Sequence, residues 1–311
     1  MKHGKETFTS PDYARQPIDA FAREWLLSLQ SRPRPVSPQT VTKYEKSLRS
    51  YLRSVEAAGE EPVLANLTKA SVDRWVSQQR FRGLAAEGIA SRLASLKAFT
   101  RSYLWREAEV TTYDVLEKVQ RPKAPEVAKP MLDEAERAAI FDAFADGGYE
   151  DTRNDALVAV LLASFLRLGA VLSVTVEDVG RAGGQFVVVE KGGAEKPVQL
   201  GPQALKKVRR WLRVRRAAEG VDALWTTAAG TPLTVNGAQA FFTRLKKRSG
   251  VGRVHAHLFR HTAGQGALLK GATPGEVQDL LGHKSSAMTR RYTQTVRARV
   301  AATNMPKYAL V

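Results

Sequence analysis

The sequence predicts a mainly α-helical protein of two domains with one small β-hairpin. Apolar residues recur at steps of three and four over long stretches, as in Tyr44, Leu48, Tyr51 and Val55, which is typical of amphipathic helices. A proline-rich segment, VQRPKAPEVAKP at residues 119–130, interrupts this pattern. Two short apolar runs, FVVVE and PVQL, stand apart from the helical stretches. Together these observations favour two helical units, the second of which carries the hairpin.

The first domain is expected over residues 18–118, after a flexible leader at residues 1–17. Ser37 followed by Pro38 predicts the start of a helix, Gly59 predicts its end, and Thr68 predicts the start of the next helix. The predicted helical segments are, in chain order, FAREWLLSLQ, VTKYEKSLRSYLRSVEAAG, SVDRWVSQQR and GIASRLASLKAFTRSYLWREA.

Residues 119–130 are expected to form an extended linker, because their three prolines and their charged residues leave little to bury. The second domain is expected over residues 131–292, and residues 293–311 form a C-terminal tail. Within this domain, Phe186–Glu190 and Pro197–Leu200 flank a glycine-containing turn, which predicts a β-hairpin.

A further helix start is predicted at Thr273. Pro274 follows at once and Glu276 lies three residues after Thr273, which is the spacing of a capping box.

Charge indicates the partner. The chain has 311 residues with 48 Lys and Arg against 31 Asp and Glu, a formal net charge of +17. An excess of this size attracts polyanions, so nucleic acid is the expected partner. A membrane surface is not favoured, because the basic residues are spread over many segments.

Several classes of protein are excluded by composition. The absence of cysteine excludes disulfides, a thiolate nucleophile and a cysteine-ligated zinc site. No apolar run reaches membrane-spanning length, and the N-terminal MKHGKETFTSPDYARQP lacks the apolar core of a signal peptide. We therefore expect a cytoplasmic, nucleoid-associated protein.

The most informative stretch is HLFRHTAGQGALLKGATPGEVQDLLGHKSSAMTRRY, which contains His257, Arg260, His283 and Tyr292. His257 and Arg260 are three residues apart, so on a helix they share a face. Arginine presents a fork of donors to phosphate oxygens, imidazole exchanges protons near neutral pH, and a phenol can act as a nucleophile. Upstream, Arg167 follows the apolar run LVAVLLASFL, where an unpaired charge is costly. These residues indicate a site that handles a phosphate.

The chain resembles the tyrosine recombinase (phage integrase) family. HLFRHTAG is similar to the HxLRHT block of that family, and LLGHKSSAMTRRYTQ is similar to its LGH…TxxY block. The resemblance covers the whole chain and implies a helical, SAM-like core-binding domain and a catalytic domain that form a C-shaped clamp around duplex DNA. The catalytic residues that it implies are Arg167, Lys191, His257, Arg260, His283 and Tyr292.

The roles of these residues follow from the resemblance. Tyr292 would attack the scissile phosphate and form a 3′-phosphotyrosyl link, Lys191 would protonate the leaving 5′-oxygen, and His257 would relay the proton of the tyrosine. Arg167 and Arg260 would bind the non-bridging oxygens, and the remaining residue, His283, would hydrogen-bond the phosphate. No metal, ATP or other cofactor is expected, because these side chains already supply the positive charge.

The chain departs from the family pattern after the first arginine. An acidic pair such as Ser-Glu usually follows it, whereas this chain has Gly169 and Ala170. The small Gly that precedes the arginine in the family is replaced by Phe165. Two carboxylates are candidates to hold Arg167 instead: Glu177 and Asp178.

Basic residues outside the motif are candidates for contacts to DNA phosphates. The run RLKKR is favoured over KKVRRWLRVRR, and both have the alternative interpretation of solvated helix faces. The residues we select are Lys43, Arg92, Lys97, Arg244, Lys246, Lys247 and Arg248. A zinc site at His255, His257 and His261 is not expected, since there is no HExxH motif and Arg260 would repel a cation.

The resemblance implies a homotetramer that exchanges strands of double-stranded DNA through a Holliday junction, with the tail at residues 293–311 docked on a neighbouring protomer. A second recombinase or an accessory protein is an open possibility. Three alternatives remain: a type IB topoisomerase-like relaxing enzyme, a catalytically idle DNA-binding relative and a metal-dependent nuclease. The sequence leaves the biological role open between dimer resolution, phage integration, transposition and cassette exchange.

Overall fold

The computed structural model describes residues 6–122, 131–180, 182–189, 193 and 195–282. The chain divides into two compact units, Met1–Glu126 and Val127–Val311. Within the described residues the fold is mainly helical with one two-stranded antiparallel sheet, so the predicted fold class is confirmed. None of the helices in these ranges is long and apolar enough to cross a membrane.

Amphipathic helices build the first unit around an aromatic core. Trp25 stacks on Tyr44 with ring centroids 4.9 Å apart, and Trp75 meets Tyr51 edge-on. The hydroxyl of Tyr51 bonds to that of Ser71 at 2.7 Å, and burial raises the pKa of Tyr51 to about 12. The helices are α1 (Ile18–Ser31), α2 (Pro38–Glu56), α3 (Lys69–Phe81) and α4 (Ala86–Ala98), and α4 continues into a π-helical segment, Phe99–Trp105.

Helix starts follow the local sequence signals. Ser37 precedes α2, as predicted, and the side chain of Thr68 caps α3 by accepting a hydrogen bond from the backbone of Ser71. Helix α2 ends at Glu56, three residues before the predicted end at Gly59, which has a positive φ of 73°.

Residues 6–17, which the sequence places in a flexible leader, bond to the first unit instead. Phe8 forms an antiparallel bridge with Thr111, and Pro17 forms another with Val63. Between them a short 3-10 helix spans Pro11–Arg15. These bonds are backbone pairings without side-chain periodicity, so sequence patterning could not indicate them.

The second unit is built around a helix that is buried on nearly every side. This helix, α6, packs against α9 on one part of its surface and α11 on another. The elements are α5 (Glu134–Asp142), α6 (Tyr149–Ser164), α7 (Leu168–Leu172), α8 (Val176–Gly180), β1 (Gln185–Val189), β2 (Glu195–Gln199), α9 (Pro202–Val214), α10 (Val235–Ser249), α11 (Ala256–Leu269) and α12 (Pro274–Leu281).

Polar residues of α6 have partners that offset the cost of their burial. Arg153 donates to the carbonyl of Thr226 at 3.1 Å, and burial lowers the pKa of its guanidinium. Asp151 accepts two hydrogen bonds from Arg248, at 2.7 and 3.1 Å, which raise the pKa of Arg248. Lys207 of α9 donates to Asp155. These contacts fix α9 and α10 against the central helix.

The hairpin predicted between Phe186 and Leu200 is present, with strand ends shifted by one or two residues. Gln185 pairs with Gln199, and the register continues to Val189 opposite Glu195. Alternate residues of both strands are buried, which is the pattern of a sheet with one face on the core.

The predicted capping box at the start of α12 is confirmed. Thr273 accepts from the backbone of Glu276 at 3.3 Å, and Glu276 accepts from the backbone of Thr273 at 2.6 Å. These hydrogen bonds lower the pKa of the Glu276 carboxyl.

Replacing Arg248 with Met is expected to destabilise the protein by about 1–2 kcal/mol, because it leaves the buried Asp151 without its bidentate donor. The control is Arg244→Met, which removes an exposed pair with Glu150 at 3.6 Å one turn earlier on α10. That variant should lose less than about 0.5 kcal/mol. Thermal unfolding by calorimetry measures both, and equal losses would contradict this role for Arg248.

Candidate active site

A cavity of about 540 Å³ in the second unit brings together three of the six predicted catalytic residues. Arg167, His257 and Arg260 all line it, beside an apolar wall that includes Leu166 and Phe242. The remaining predicted residues, Lys191, His283 and Tyr292, lie outside the described residues.

Arg167 reaches the cavity because α6 stops just before it. Phe165 adopts the left-handed conformation, with φ 57° and ψ 11°, and ends the helix. Leu166 is completely buried and anchors the turn. Arg167, which is exposed, is the N-cap of α7. The long apolar run therefore ends in a cation that is exposed at the cavity.

The contacts of Phe165 explain how this chain tolerates phenylalanine at the position where the family has glycine. A left-handed backbone costs a non-glycine residue roughly 1–2 kcal/mol. The carbonyl of Phe165 accepts hydrogen bonds from Arg260 Nη1 at 2.5 Å and from Lys196 Nζ at 3.2 Å. Its side chain packs against the cluster of Val277 and Leu281. We attribute the persistence of the strained turn to these contacts.

Arg260 lies on α11 and is only 1% exposed. Its Nη1 donates to Phe165 and its Nη2 donates to the carbonyl of Leu281, so it joins the C-terminal ends of α6 and α12. Helix C-termini carry partial negative charge, which stabilises a buried guanidinium. A guanidinium has five N–H groups in a planar fork, so one side chain can serve several acceptors at once. The residue can hold two helix ends and present charge to the cavity.

His257 lies one turn before Arg260, and both line the cavity as their three-residue spacing predicts. The His257 side chain is exposed, and its ring meets that of the buried His261 edge-on with centroids 4.3 Å apart. His255 bonds through Nδ1 to the carbonyl of Arg253 at 2.7 Å. The ring of His257 therefore contacts that of His261, and the residue lines the cavity.

Glu177 and Asp178 are the two carboxylates proposed to orient Arg167, and the structure gives hydrogen bonds for Asp178. Asp178 accepts from the backbone and the hydroxyl of Thr175, both at 2.8 Å, and so caps α8. Orientation of Arg167 by Glu177 stays a prediction. Gly169 borders open space, since a Cβ added at this residue would meet no other heavy atom within 4 Å.

The basic residues of α10 have different surroundings. Lys246 lines the cavity, and Lys247 is exposed. Arg248 is held by Asp151, and Arg244 lies 3.6 Å from Glu150.

Sequence reasoning missed three polar residues of the cavity wall, Gln239, Thr243 and His255. A signal for two of them was present, because Gln239, Thr243 and Lys246 recur at helical spacing opposite the buried Phe241 and Leu245.

A second basic concavity, of about 810 Å³, lies in the first unit between α2 and α4. It includes the predicted Lys43 and Arg92. Four further basic residues that the sequence reasoning did not select also line it: Lys46, Arg49, Arg53 and Arg82. The predicted Lys97 does not line this concavity, and its Nζ donates to the carbonyl of Glu117 at 3.4 Å.

The two arginines of the cavity should differ in their effect on stability. Arg260→Ala leaves the carbonyl of Leu281 without its charged donor and the carbonyl of Phe165 with Lys196 alone, so we expect a loss of about 2–4 kcal/mol in the free energy of unfolding. Arg167→Ala removes an exposed side chain and should cost less than about 0.5 kcal/mol. Urea unfolding followed by tryptophan fluorescence makes the comparison. An Arg260→Ala protein as stable as Arg167→Ala would contradict the structural role of Arg260.

Comparison with known proteins identifies the family. Residues 130–299 match the phage integrase family, and residues 23–107 match the phage integrase N-terminal SAM-like domain. The chain is 27% identical to the tyrosine recombinase XerC of Xanthomonas campestris pv. campestris over 84% of this chain and 80% of that protein. It is also 27% identical to XerC of Lacticaseibacillus casei, over 94% and 98%.

Solved structures show the same fold. The XerH site-specific recombinase bound to a palindromic difH substrate has a TM-score of 0.70 at 19% identity, covering 85% of this chain and 79% of that one. A λ integrase(75–356) dimer bound to a COC′ core site has a TM-score of 0.73 at 16% identity, covering 95% and 100%. Since the catalytic family match alone spans more than half of the sequence and includes the whole cavity, the chain belongs to the phage integrase family.

Proposed function

We propose that this chain is a site-specific recombinase that cleaves and rejoins double-stranded DNA through a covalent intermediate on Tyr292. The observation that carries the proposal is the cavity that gathers Arg167, His257 and Arg260 in a chain of this family. Relatives named tyrosine recombinases and solved relatives bound to DNA support it. These names favour recombination over the alternative of a DNA-relaxing enzyme.

The proposed reaction is a transesterification without net hydrolysis. The Tyr292 oxygen attacks the scissile phosphorus, the bond from phosphorus to the 5′-oxygen breaks, and a 3′-phosphotyrosine forms. The phenolic proton passes to His257, and Lys191 protonates the leaving 5′-oxygen. A 5′-hydroxyl from a second strand then reverses the step. The phosphodiester energy is retained in the intermediate, so joining needs no ATP.

The cavity supplies the electrostatics for this reaction. Arg167 is exposed at its rim, Arg260 is buried in its wall, and Lys246 approaches from α10. Donors fixed before the reaction stabilise the charge that develops on the phosphate oxygens without further reorganisation. Because Arg260 is held by two helix-end carbonyls, its position is set by the fold rather than by the DNA.

We further propose that the basic concavity of the first unit binds DNA backbone. Lys43, Lys46, Arg53 and Arg92 lie on α2 and α4, whose other faces are buried in the core. Cations that line one concavity suit the phosphates of a DNA backbone, and such contacts position the protein without reading the sequence of bases. The net charge of +17 agrees with a polyanionic partner.

The complete reaction requires an assembly. We propose a homotetramer on two DNA sites that exchanges strands in pairs through a Holliday junction. The reaction would take place in the cytoplasm, on the nucleoid. A second recombinase or an accessory protein would join the assembly at DNA sites that require one. The tail at residues 293–311, which lies outside the described residues, is the segment we assign to contact between protomers. Exchange of flanks between two labelled duplexes would support this assembly, and relaxation of supercoils without exchange would favour the topoisomerase-like alternative.

Covalent trapping tests the proposed chemistry. A nicked suicide duplex that carries a site selected from random DNA by the wild-type protein should give a denaturation-resistant adduct in EDTA. Tyr292→Phe should give none, because a phenyl ring has no nucleophilic oxygen. Tyr113→Phe, which removes a phenol from the first unit, is the control and should retain the adduct. An adduct that persists in Tyr292→Phe would show that another residue is the nucleophile.

DNA affinity separates two cations on one helix. Lys246→Met should weaken DNA binding several-fold and reduce the slope of log K against log salt by about 0.9, the value for one lost phosphate contact. Arg248→Met should leave affinity nearly unchanged, because Asp151 already holds its guanidinium. Fluorescence anisotropy over a range of salt concentrations measures both. The reverse order of effects would mean that Arg248 leaves its ion pair to bind DNA.

A further inference from the structure

Lys196 is a buried cation that the proposed reaction does not use. It lies on β2 with 8% of its surface exposed, on the inward face of the strand. Its Nζ donates to the carbonyl of Phe165 at 3.2 Å and to the carbonyl of Leu280. Both acceptors are at the C-terminal ends of helices, where the backbone carries partial negative charge. The hairpin is thereby attached to the ends of α6 and α12.

Lys196 and Arg260 share these helix ends. The carbonyl of Phe165 accepts from both side chains, and the adjacent carbonyls of Leu280 and Leu281 accept from Lys196 and Arg260 respectively. A buried ammonium keeps its charge at low cost only while such acceptors surround it. We therefore regard this pair of cations as a junction of four elements: the hairpin, α6, α11 and α12.

Lys196 lies on the hairpin close in sequence to Lys191, the proposed proton donor. Val189 pairs with Glu195, so Lys196 follows the last described pair of the ladder. Lys191, the proposed proton donor, is only two residues beyond Val189 in the sequence. At the other end of the junction, Leu281 and Gly282 lead directly to His283. A restraint on Lys196 therefore acts at the base of the connection that carries Lys191.

We propose that Lys196 is a positioning residue for strand cleavage: it anchors the hairpin to the ends of α6 and α12 so that Lys191 can deliver its proton to the leaving 5′-oxygen. This inference rests on the proposed function. Lys196 does not contact the reacting atoms in this role and acts through Lys191.

A change of leaving group tests the proposal. With a selected suicide duplex, Lys196→Met should slow single-turnover cleavage on the order of 10–100-fold. This is less than the roughly 10²–10⁴-fold that a general acid contributes, because Lys191 is still present but less well placed. The same duplex with sulfur in place of the bridging 5′-oxygen has a leaving thiol whose pKa is about 8.5, so it departs without a proton donor. Lys196→Met should therefore cleave this substrate at a rate within about threefold of wild type, as Lys191→Ala should. Lys196→Arg should retain much of the rate on ordinary DNA, because arginine can also donate to helix-end carbonyls.

Lys207→Met is the matched control for loss of stability. Lys207 is a partly buried lysine of α9 that donates to Asp155, away from the cavity. Its variant should lower the unfolding temperature yet show no selective recovery on the sulfur substrate. Equal slowing of Lys196→Met on both substrates, or no slowing on either, would overturn the positioning role. If wild type forms no adduct with either substrate, the proposed function itself fails and the role of Lys196 fails with it.

Discussion

The organisation of the candidate site depends on the binding of two buried cations to the C-terminal ends of two helices. Arg260 and Lys196 donate to the carbonyls of Phe165, Leu280 and Leu281. The last carbonyls of a helix have no donors within the helix, and a buried cation without acceptors is energetically costly. Together they satisfy one another and join the hairpin, α6, α11 and α12, and Arg260 also lines the cavity. The arginine that is expected to bind phosphate is thus also a structural element.

The central helix α6 makes this arrangement possible. It is buried on nearly all sides, so its polar residues must find partners within the unit, and they do so on α9, on α10 and at Thr226. These contacts also give the cations of α10 different roles. Arg248 forms an ion pair with Asp151 and stabilises the fold, whereas Lys246, two residues earlier, lines the cavity. Proximity in sequence therefore says little about which basic residue meets a phosphate.

Sequence alone could predict the features that depend on local pattern. The hairpin, the Thr273 capping box and the shared face of His257 and Arg260 each follow from a short-range rule, and the structure agrees with them. The buried role of Lys196 could not be predicted, because a lysine in a hairpin is ordinarily solvated and its partners lie 31 and 84 residues away. The backbone pairing of residues 7–9 with positions 110–112 is likewise a long-range contact that no periodic pattern in the sequence indicates.

The left-handed turn at Phe165 shows a different limit. The sequence indicates only that phenylalanine replaces the family glycine. The structure shows that this residue has a left-handed backbone and that its carbonyl accepts hydrogen bonds from Lys196 and Arg260. The departure from the family pattern is thus accommodated by the same junction that holds the hairpin and α12.

In the proposed reaction Tyr292 becomes covalently joined to DNA, and mass spectrometry of the nuclease- and trypsin-treated adduct identifies the residue that is joined. Cleavage after Arg291 and Arg297 yields the peptide YTQTVR, in which Tyr292 is the sole tyrosine. We predict that fragmentation places a 3′-linked nucleotide on this tyrosine. A nucleotide on either threonine of the peptide, or on a peptide from elsewhere in the chain, would show that Tyr292 is not the nucleophile.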